Sequence, residues 1–294
     1  MTSVQIIDTF PAFLTYWSQV KDKSLDDQLE SWATEYMSSW PDLLAKQLDD
    51  YSLQKQDWRQ IGRKKIFLYL PNRLPAMELA HQNLLELCEP VYLKVQQAFS
   101  FESDITFVIY IGIGCGAGWA TTFRDVPAVL FGLENIAECG WSEAKAITGL
   151  VAHELGHLVH FYWRAERGKL IGAGPWWQLY EEGFAQRCES SILGSIPWHQ
   201  VVTGKTDDWL SWCQSHKRWL ASEFLRRVDV GEPTVSFFSS WFDIQGRSET
   251  GYFLGCEAIK ELERQFTLTE IALVDDAEAY FRPVLQQVIQ KEGG

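Results

Sequence analysis

The chain has 294 residues, 46% of them hydrophobic and 14 of them tryptophan, so it can bury a sizeable core and is not a disordered polypeptide. Its formal charge of −13 repels phosphate backbones, which argues against nucleic acid as a general partner. No run of about 18 apolar residues is uninterrupted, so no membrane span is expected.

The N-terminal stretch MTSVQIIDTFPAFLTYW has neither a basic n-region nor a clean apolar h-region. The six cysteines (Cys88, Cys115, Cys139, Cys188, Cys213 and Cys256) include no C-x-x-C pair. Together these features predict a cytoplasmic chain with reduced thiols and no thiolate zinc site.

Residues 9–60 carry Phe10, Phe13, Leu14, Trp17, Leu29, Trp32, Tyr36 and Trp40 at three- and four-residue steps, the period of helices. KKIFLYLP (64–71) is a short apolar run ending at proline and predicts a strand. Residues 75–99 predict a helix, bent or broken near Pro90. DITFVIYIGIG (104–114), rich in β-branched and aromatic residues, predicts a central strand. GCGAGWATTFRD (114–125) predicts a loop, and PAVLFGLE (127–134) a further strand. Helices follow over 142–163, 178–193, 206–228, 248–265 and 276–291. The loop between the first two carries Trp176 and Trp177, which line a pocket or simply pack. Strands early and helices late predict an α+β fold. It would have a small mixed β-sheet, a mainly helical C-terminal half and a helical N-terminal region. The expected division is 1–62 and 63–294, or one compact unit.

The helix over 142–163 contains ITGLVAHELGHLVHFYWRAERG (147–168). His153 and His157, four residues apart, lie one turn apart on one helix face, where two imidazoles can hold one zinc ion. Glu154 points about 100° away from His153, where it meets the metal's water rather than the metal. Zinc lowers the pKa of its water to about 7, and a glutamate takes the proton as the water attacks a carbonyl. The competing reading is a set of hydrogen-bonded core histidines. The helix is otherwise apolar (Ile147, Leu150, Val151, Leu155, Leu158, Val159), so its ionisable groups need a reason to be there. Gly156 weakens a helix, and a close approach by another segment would explain it. His160 lies about 10 Å along the axis from His153 and cannot share the ion with both other histidines, leaving it a second-shell or core role. The longer motif H-E-x-x-H-x-x-G-x-x-H is excluded, because positions 160 and 163 are His and Trp.

A catalytic zinc needs a third protein ligand and an open fourth position. WWQLYEEGFAQRCES (176–190) offers Glu181 and Glu182 on the next predicted helix, ahead of Gly183, which would let that helix pack close to the first. A solvated first-turn glutamate is the bland alternative for either.

H-E-L-G-H followed by E-E-G-F-A resembles the gluzincin peptidases, whose third zinc ligand is a glutamate on the following helix. The chain is more closely similar to a bacterial family of predicted zinc-dependent proteases of unknown substrate. That family shares a helical N-terminal region, H-E-x-x-H, E-G-x-A and a later G-Y-x-x-G, here Gly251, Tyr252 and Gly255. The resemblance implies a thermolysin-like zincin domain and one Zn2+ ion held by His153, His157 and Glu182. It implies Glu154 as general base and a peptide or protein substrate. It further suggests Glu189 as a second-shell support for a ligand histidine, unless it is an exposed helical acid. Tyr252 would be a donor to the oxyanion, unless it is a core aromatic; His199 and His216 are alternatives for that role. FGLEN (131–135) resembles the G-A-M-E-N exopeptidase motif, which would make Glu134 an anchor for a substrate amine; Asn135 as a turn cap is the simpler reading. Residues 128–133 are expected to form an edge strand that pairs with an extended peptide. Two other functions stay open: a zinc-stabilised binding or regulatory protein without catalysis, and a zinc hydrolase of a non-peptide amide or ester.

Overall fold

A short apolar segment near the N-terminus, Val4–Asp8 (β1), pairs in parallel with Ile105–Tyr110 (β2), so the chain returns to its own beginning to build a sheet. The computed structural model describes residues 2–194, 196–201 and 208–290. It is a mixed α+β structure, mostly helical, with one four-stranded mixed sheet. Two compact units divide it: residues up to Leu93 with Glu102–Val151, and Lys94–Phe101 with Ala152 onward. Because β1 pairs with β2, the N-terminal helical region is not a separate unit bounded at residue 62.

In the first unit β1 is followed by α1 (Phe10–Val20), α2 (Leu25–Ser31), α3 (Pro41–Leu53), α4 (Trp58–Ile61) and α5 (Leu70–Phe99). Then come β2, β3 (Trp119–Phe123), β4 (Val126–Gly132), α6 (Leu133–Glu138) and α7 (Ala144–Ala165). Helices α5 and α7 continue into the second unit. The sheet order is β1-β2-β4-β3, with β1, β2 and β4 parallel and β3 antiparallel to β4. Every residue of β2 is buried, as expected of an inner strand covered on both faces.

KKIFLYLP is helical: Ile66, Phe67 and Leu70 are buried while Leu68 and Tyr69 are exposed, a helix spacing that a short apolar run disguises as a strand. Helix α5 is not broken at Pro90; it runs through Pro75 and Pro90. The expected loop 114–125 contains β3, and β3 takes the edge. Residues 128–133 therefore do not form an edge strand, because β4 lies between β2 and β3. Arg124 and Asp125 join β3 to β4 with φ of 50° and 63°, the positive φ that a two-residue type I′ hairpin turn requires.

Beyond β2 the backbone is buried and irregular, and side chains satisfy it. Tyr51 donates to Ile113 O at 2.7 Å, Trp32 Nε1 donates to Ile111 O at 3.0 Å, and Gln47 accepts from Ile113 N. Glu134 accepts from Gly112 N at 2.9 Å and Gly114 N at 3.2 Å. Glu134 is fully buried with both oxygens engaged, so it is a loop-holding residue and not an anchor for a substrate amine. Burial raises its pKa to about 7, against the opposing effect of the two amides.

The second unit adds α8 (Pro175–Leu193), α9 (Trp209–Ser215), α10 (Lys217–Val230), α11 (Thr250–Leu262), α12 (Leu268–Ala272) and α13 (Ala277–Gln290). The helix expected over 206–228 is two helices meeting at His216; residues 206 and 207, and residue 291 of the last expected helix, lie outside the described residues. Gly156 of α7 faces α8: a Cβ there would lie 3.0 Å from Ala185 Cα and O. Gly183, expected to face α7, instead meets α11, where a Cβ would come within 2.4 Å of the Gly255 carbonyl. Trp176 packs edge-on against Phe224, and Trp177 lies against Tyr180, so both tryptophans pack. No helix among the described residues is long and apolar enough to cross a membrane.

Two outcomes follow from this packing. Gly255→Ala forces a methyl into the backbone of α8, 2.4 Å from Leu179 O, and should destabilise the second unit by about 3 kcal/mol, read from its thermal or denaturant midpoint; an unchanged midpoint would show that the helices part without strain. Glu134 holds its proton up to about pH 7, against an ordinary 4.5, so the folded chain binds more protons than the unfolded chain over that interval. Stability must then fall as pH rises through it, by up to about 3 kcal/mol. Denaturant titrations at about pH 5 and about pH 8 should show a larger loss in the wild type than in Glu134→Gln, whereas equal losses would clear Glu134 as the cause.

Candidate metal centre

Helix α7 places His153 and His157 on one face, as four-residue spacing requires, and the contact at Gly156 brings α8 against it. From α8, Glu182 reaches both rings. Its Oε2 lies 3.2 Å from His153 Nε2 and 3.5 Å from His157 Nε2, and the two Nε2 atoms are 3.2 Å apart. Three ligands of one tetrahedral zinc at 2.0–2.2 Å stand about 3.3–3.6 Å from one another, so this triangle fits such an ion. Glu181, the alternative third ligand, is not part of the triangle.

The electrostatics of the triangle favour a cation. Burial alone would lower the pKa of His157, but Glu182, with Glu154 and Glu181, outweighs it and raises the pKa to about 9. Burial likewise works to raise Glu182, and the two histidines reverse it, holding the carboxyl down at about 2. Glu181 is pushed up to about 7 by burial, eased by His157. Its Oε1 is buried without a hydrogen-bond partner among the described residues. Glu154 is buried and close enough to His157 to raise its pKa, consistent with a place beside the metal position.

Glu189, two turns beyond Glu182 on α8, is 1% exposed, so it is not an exposed helical acid. Its Oε1 accepts from Trp198 N, and its Oε2 stands 4.0 Å from His153 Nδ1. Among the described residues neither Oε2 nor Nδ1 has a hydrogen-bond partner. From about 1 Å nearer, that oxygen would be placed to orient a metal-bound imidazole. His199 packs its ring 4.4 Å from that of His153 and stacks on Tyr252 at 4.7 Å and 13°. Tyr252, half-buried, has its ring 6.0 Å from His153. His153, Glu189 and His199 form a second, looser group with ligand atoms within 4.8 Å of one another.

His160 belongs elsewhere. It is fully buried, stacks on Phe184 and shares a 2.9 Å hydrogen bond with Tyr180 Oη. Tyr180 donates its only proton to Ile271 O, so His160 Nε2 is the donor in that pair. Burial, with Arg164 nearby, holds its pKa well below the usual value. Of the two roles expected for it, the geometry matches core rather than second shell. His216 stacks on Trp212 and bonds to the local backbone at the α9–α10 junction. Glu134 lies in the first unit with both oxygens occupied. Sequence reasoning gave His199 little weight, since it lies 42 positions beyond His157 in no helical register with it; only Pro197 and the paired aromatic Trp198 mark a tight turn there.

Because metal binds only the neutral imidazole, an ion entering the triangle must displace the proton that His157 holds up to about pH 9. Apparent zinc affinity should therefore rise at least about tenfold per pH unit between about pH 6 and about pH 8, with one or more protons released per ion. Calorimetry in buffers of differing ionisation enthalpy measures both, and a pH-independent affinity would contradict the assignment. The chain matches no protein-family model, and neither a curated protein nor a solved structure is detectably similar, so the chemistry rests on this geometry.

Proposed function

We propose that this protein is a zinc-dependent peptidase of gluzincin type, with the metal on His153, His157 and Glu182 and with Glu154 as general base. The observation that carries the reading is the triangle of ligand atoms with edges of 3.2, 3.2 and 3.5 Å, formed by two residues one helical turn apart and a third from the next helix. A thermolysin-like zincin arrangement belongs to the same reading. It is supported by the order of elements: a mixed sheet with an antiparallel edge strand, then α7 with H-E-x-x-H, then α8 with the third ligand.

When bound, zinc supplies Lewis acidity and a water acidified toward neutrality. The rest falls to the chain. Glu154, adjacent to His153 and buried, would take the proton as the water attacks a carbonyl and pass it to the leaving amine. Glu182 would offset part of the ion's charge. Tyr252, half-exposed beside His153, is the candidate donor to the developing oxyanion. Among the described residues three protein groups form the triangle, the number a catalytic zinc uses, whereas structural zinc sites usually have four.

Glu154→Gln keeps the shape and removes the base. It should retain one equivalent of zinc by elemental analysis while losing about 10³-fold in kcat/KM on a peptide library. Unimpaired turnover in that variant would overturn the mechanism. A wild type that binds one zinc and cleaves no peptide would instead point to a binding protein, or to a hydrolase of a non-peptide amide or ester.

A further inference from the structure

Glu189 is a buried carboxylate that touches two different parts of the site. One oxygen accepts from the backbone N–H of Trp198, and the other faces His153 Nδ1 across 4.0 Å. The turn it holds, Trp198–Gln200, has a second tether on the same face of α8: Gln200 Nε2 donates to Gln186 Oε1 at 2.9 Å, both side chains buried. Between those tethers stands His199. Its ring lies against His153 on one side and nearly parallel to Tyr252 on the other.

A metal ion on His153 Nε2 fixes that ring as the Nδ1–H tautomer, and the Nδ1 proton needs an acceptor. The orphaned Oε2 of Glu189 is the carboxylate oxygen that the structure sets beside it. Closing the remaining 1 Å or so draws one end of the carboxylate toward the metal ligand while the other end holds the turn. The geometry thus points to Glu189 as a positioning residue that couples a divalent metal ion on His153 to the seating of the Trp198–Gln200 turn, and through it to the placement of His199 against Tyr252. The coupling rests on the metal-site reading. It makes the far wall of the site, where Tyr252 stands, conditional on the metal. By linkage it is reciprocal: loosening the turn must weaken the metal.

Hydrogen–deuterium exchange of the full wild-type chain, with Zn2+ alone added, tests this without any variant. Peptides spanning 196–201 should exchange at least about fivefold more slowly with zinc. Glu189→Gln presents an amide to Nδ1 and should weaken zinc about 10- to 100-fold. It should shift the absorption bands of the Co2+-substituted protein and abolish the zinc effect on 196–201. Gln200→Leu removes the second tether without touching a ligand, and should weaken zinc several-fold if the coupling is reciprocal. Exchange over 196–201 that ignores zinc in the wild type, or unaltered zinc affinity and Co2+ spectrum in both variants, would overturn the coupling and leave the metal site standing. Failure of the wild type to bind zinc at all would remove both.

Discussion

How closely α8 can approach α7 decides whether a metal site exists at all. Two imidazoles on one helix face are only half a ligand set, and the third group must arrive from a separate segment to within about 3.5 Å. Gly156 permits it: with no Cβ, it lets the Ala185 backbone lie where a methyl would be 3.0 Å away. The glycine stands between the two histidines in sequence, so the point of closest approach and the ligand pair coincide. On its other flank α8 is held by α11 through the facing Gly183 and Gly255. Glu182 and Gly183 are adjacent, so one residue reaches the histidines while the next presses against a different helix. The E-G pair is thus a geometric device: a candidate ligand braced by the contact behind it.

That closeness concentrates charge where water is scarce. Four carboxylates, Glu154, Glu181, Glu182 and Glu189, cluster with His153 and His157 in a largely buried space. A lone buried carboxylate lifts its pKa and stays neutral, which is how Glu181 and Glu189 respond, the latter pushed up to about 8 by burial. Glu182 goes the other way, held ionised by the histidines, while His157 is held protonated by the carboxylates. A divalent cation at the proposed site would replace that proton with a larger charge at the same point, so the stabilisation the carboxylates give to His157 would become stabilisation of the ion.

Sequence reasoning reached the parts of this that local periodicity encodes. His153 and His157 are legible because four residues is one helical turn, and His160 is legible as an outsider because seven residues is two. The strands β2 and β4 are legible from their β-branched and aromatic runs. What stayed hidden depends on partners far along the chain. Val4–Asp8 is too short to announce itself and becomes a strand only because β2 offers an edge. The β3–β4 hairpin turns at Arg-Asp rather than at Asn-Gly, so the usual marker is missing and Trp119–Phe123 passes for loop. KKIFLYLP has the composition of a strand and the burial of a helix, which only packing decides. The Glu134 motif match failed because a motif carries no information on burial: two glycine amides after β2 claim both oxygens. His199 has no sequence register with His153; the tethers on Glu189 and Gln186 alone deliver it.

The three buried carboxylates Glu134, Glu181 and Glu189 show how a structural acid differs from one at a site. All are raised by desolvation to broadly similar degrees, so the shift alone does not separate them. Satisfaction does. Glu134 has an amide on each oxygen, as a residue buried to hold backbone should. Among the described residues Glu181 and Glu189 each leave one buried oxygen without a hydrogen bond, and both stand beside the histidine pair. An unfilled acceptor costs about 1–3 kcal/mol and persists only if something offsets it. Around His153 an offset would be at hand, because an ion on Nε2 would turn Nδ1 into a donor facing the Glu189 oxygen. The cost of that facing pair would then fall on binding a cation, as the proposed metal site requires.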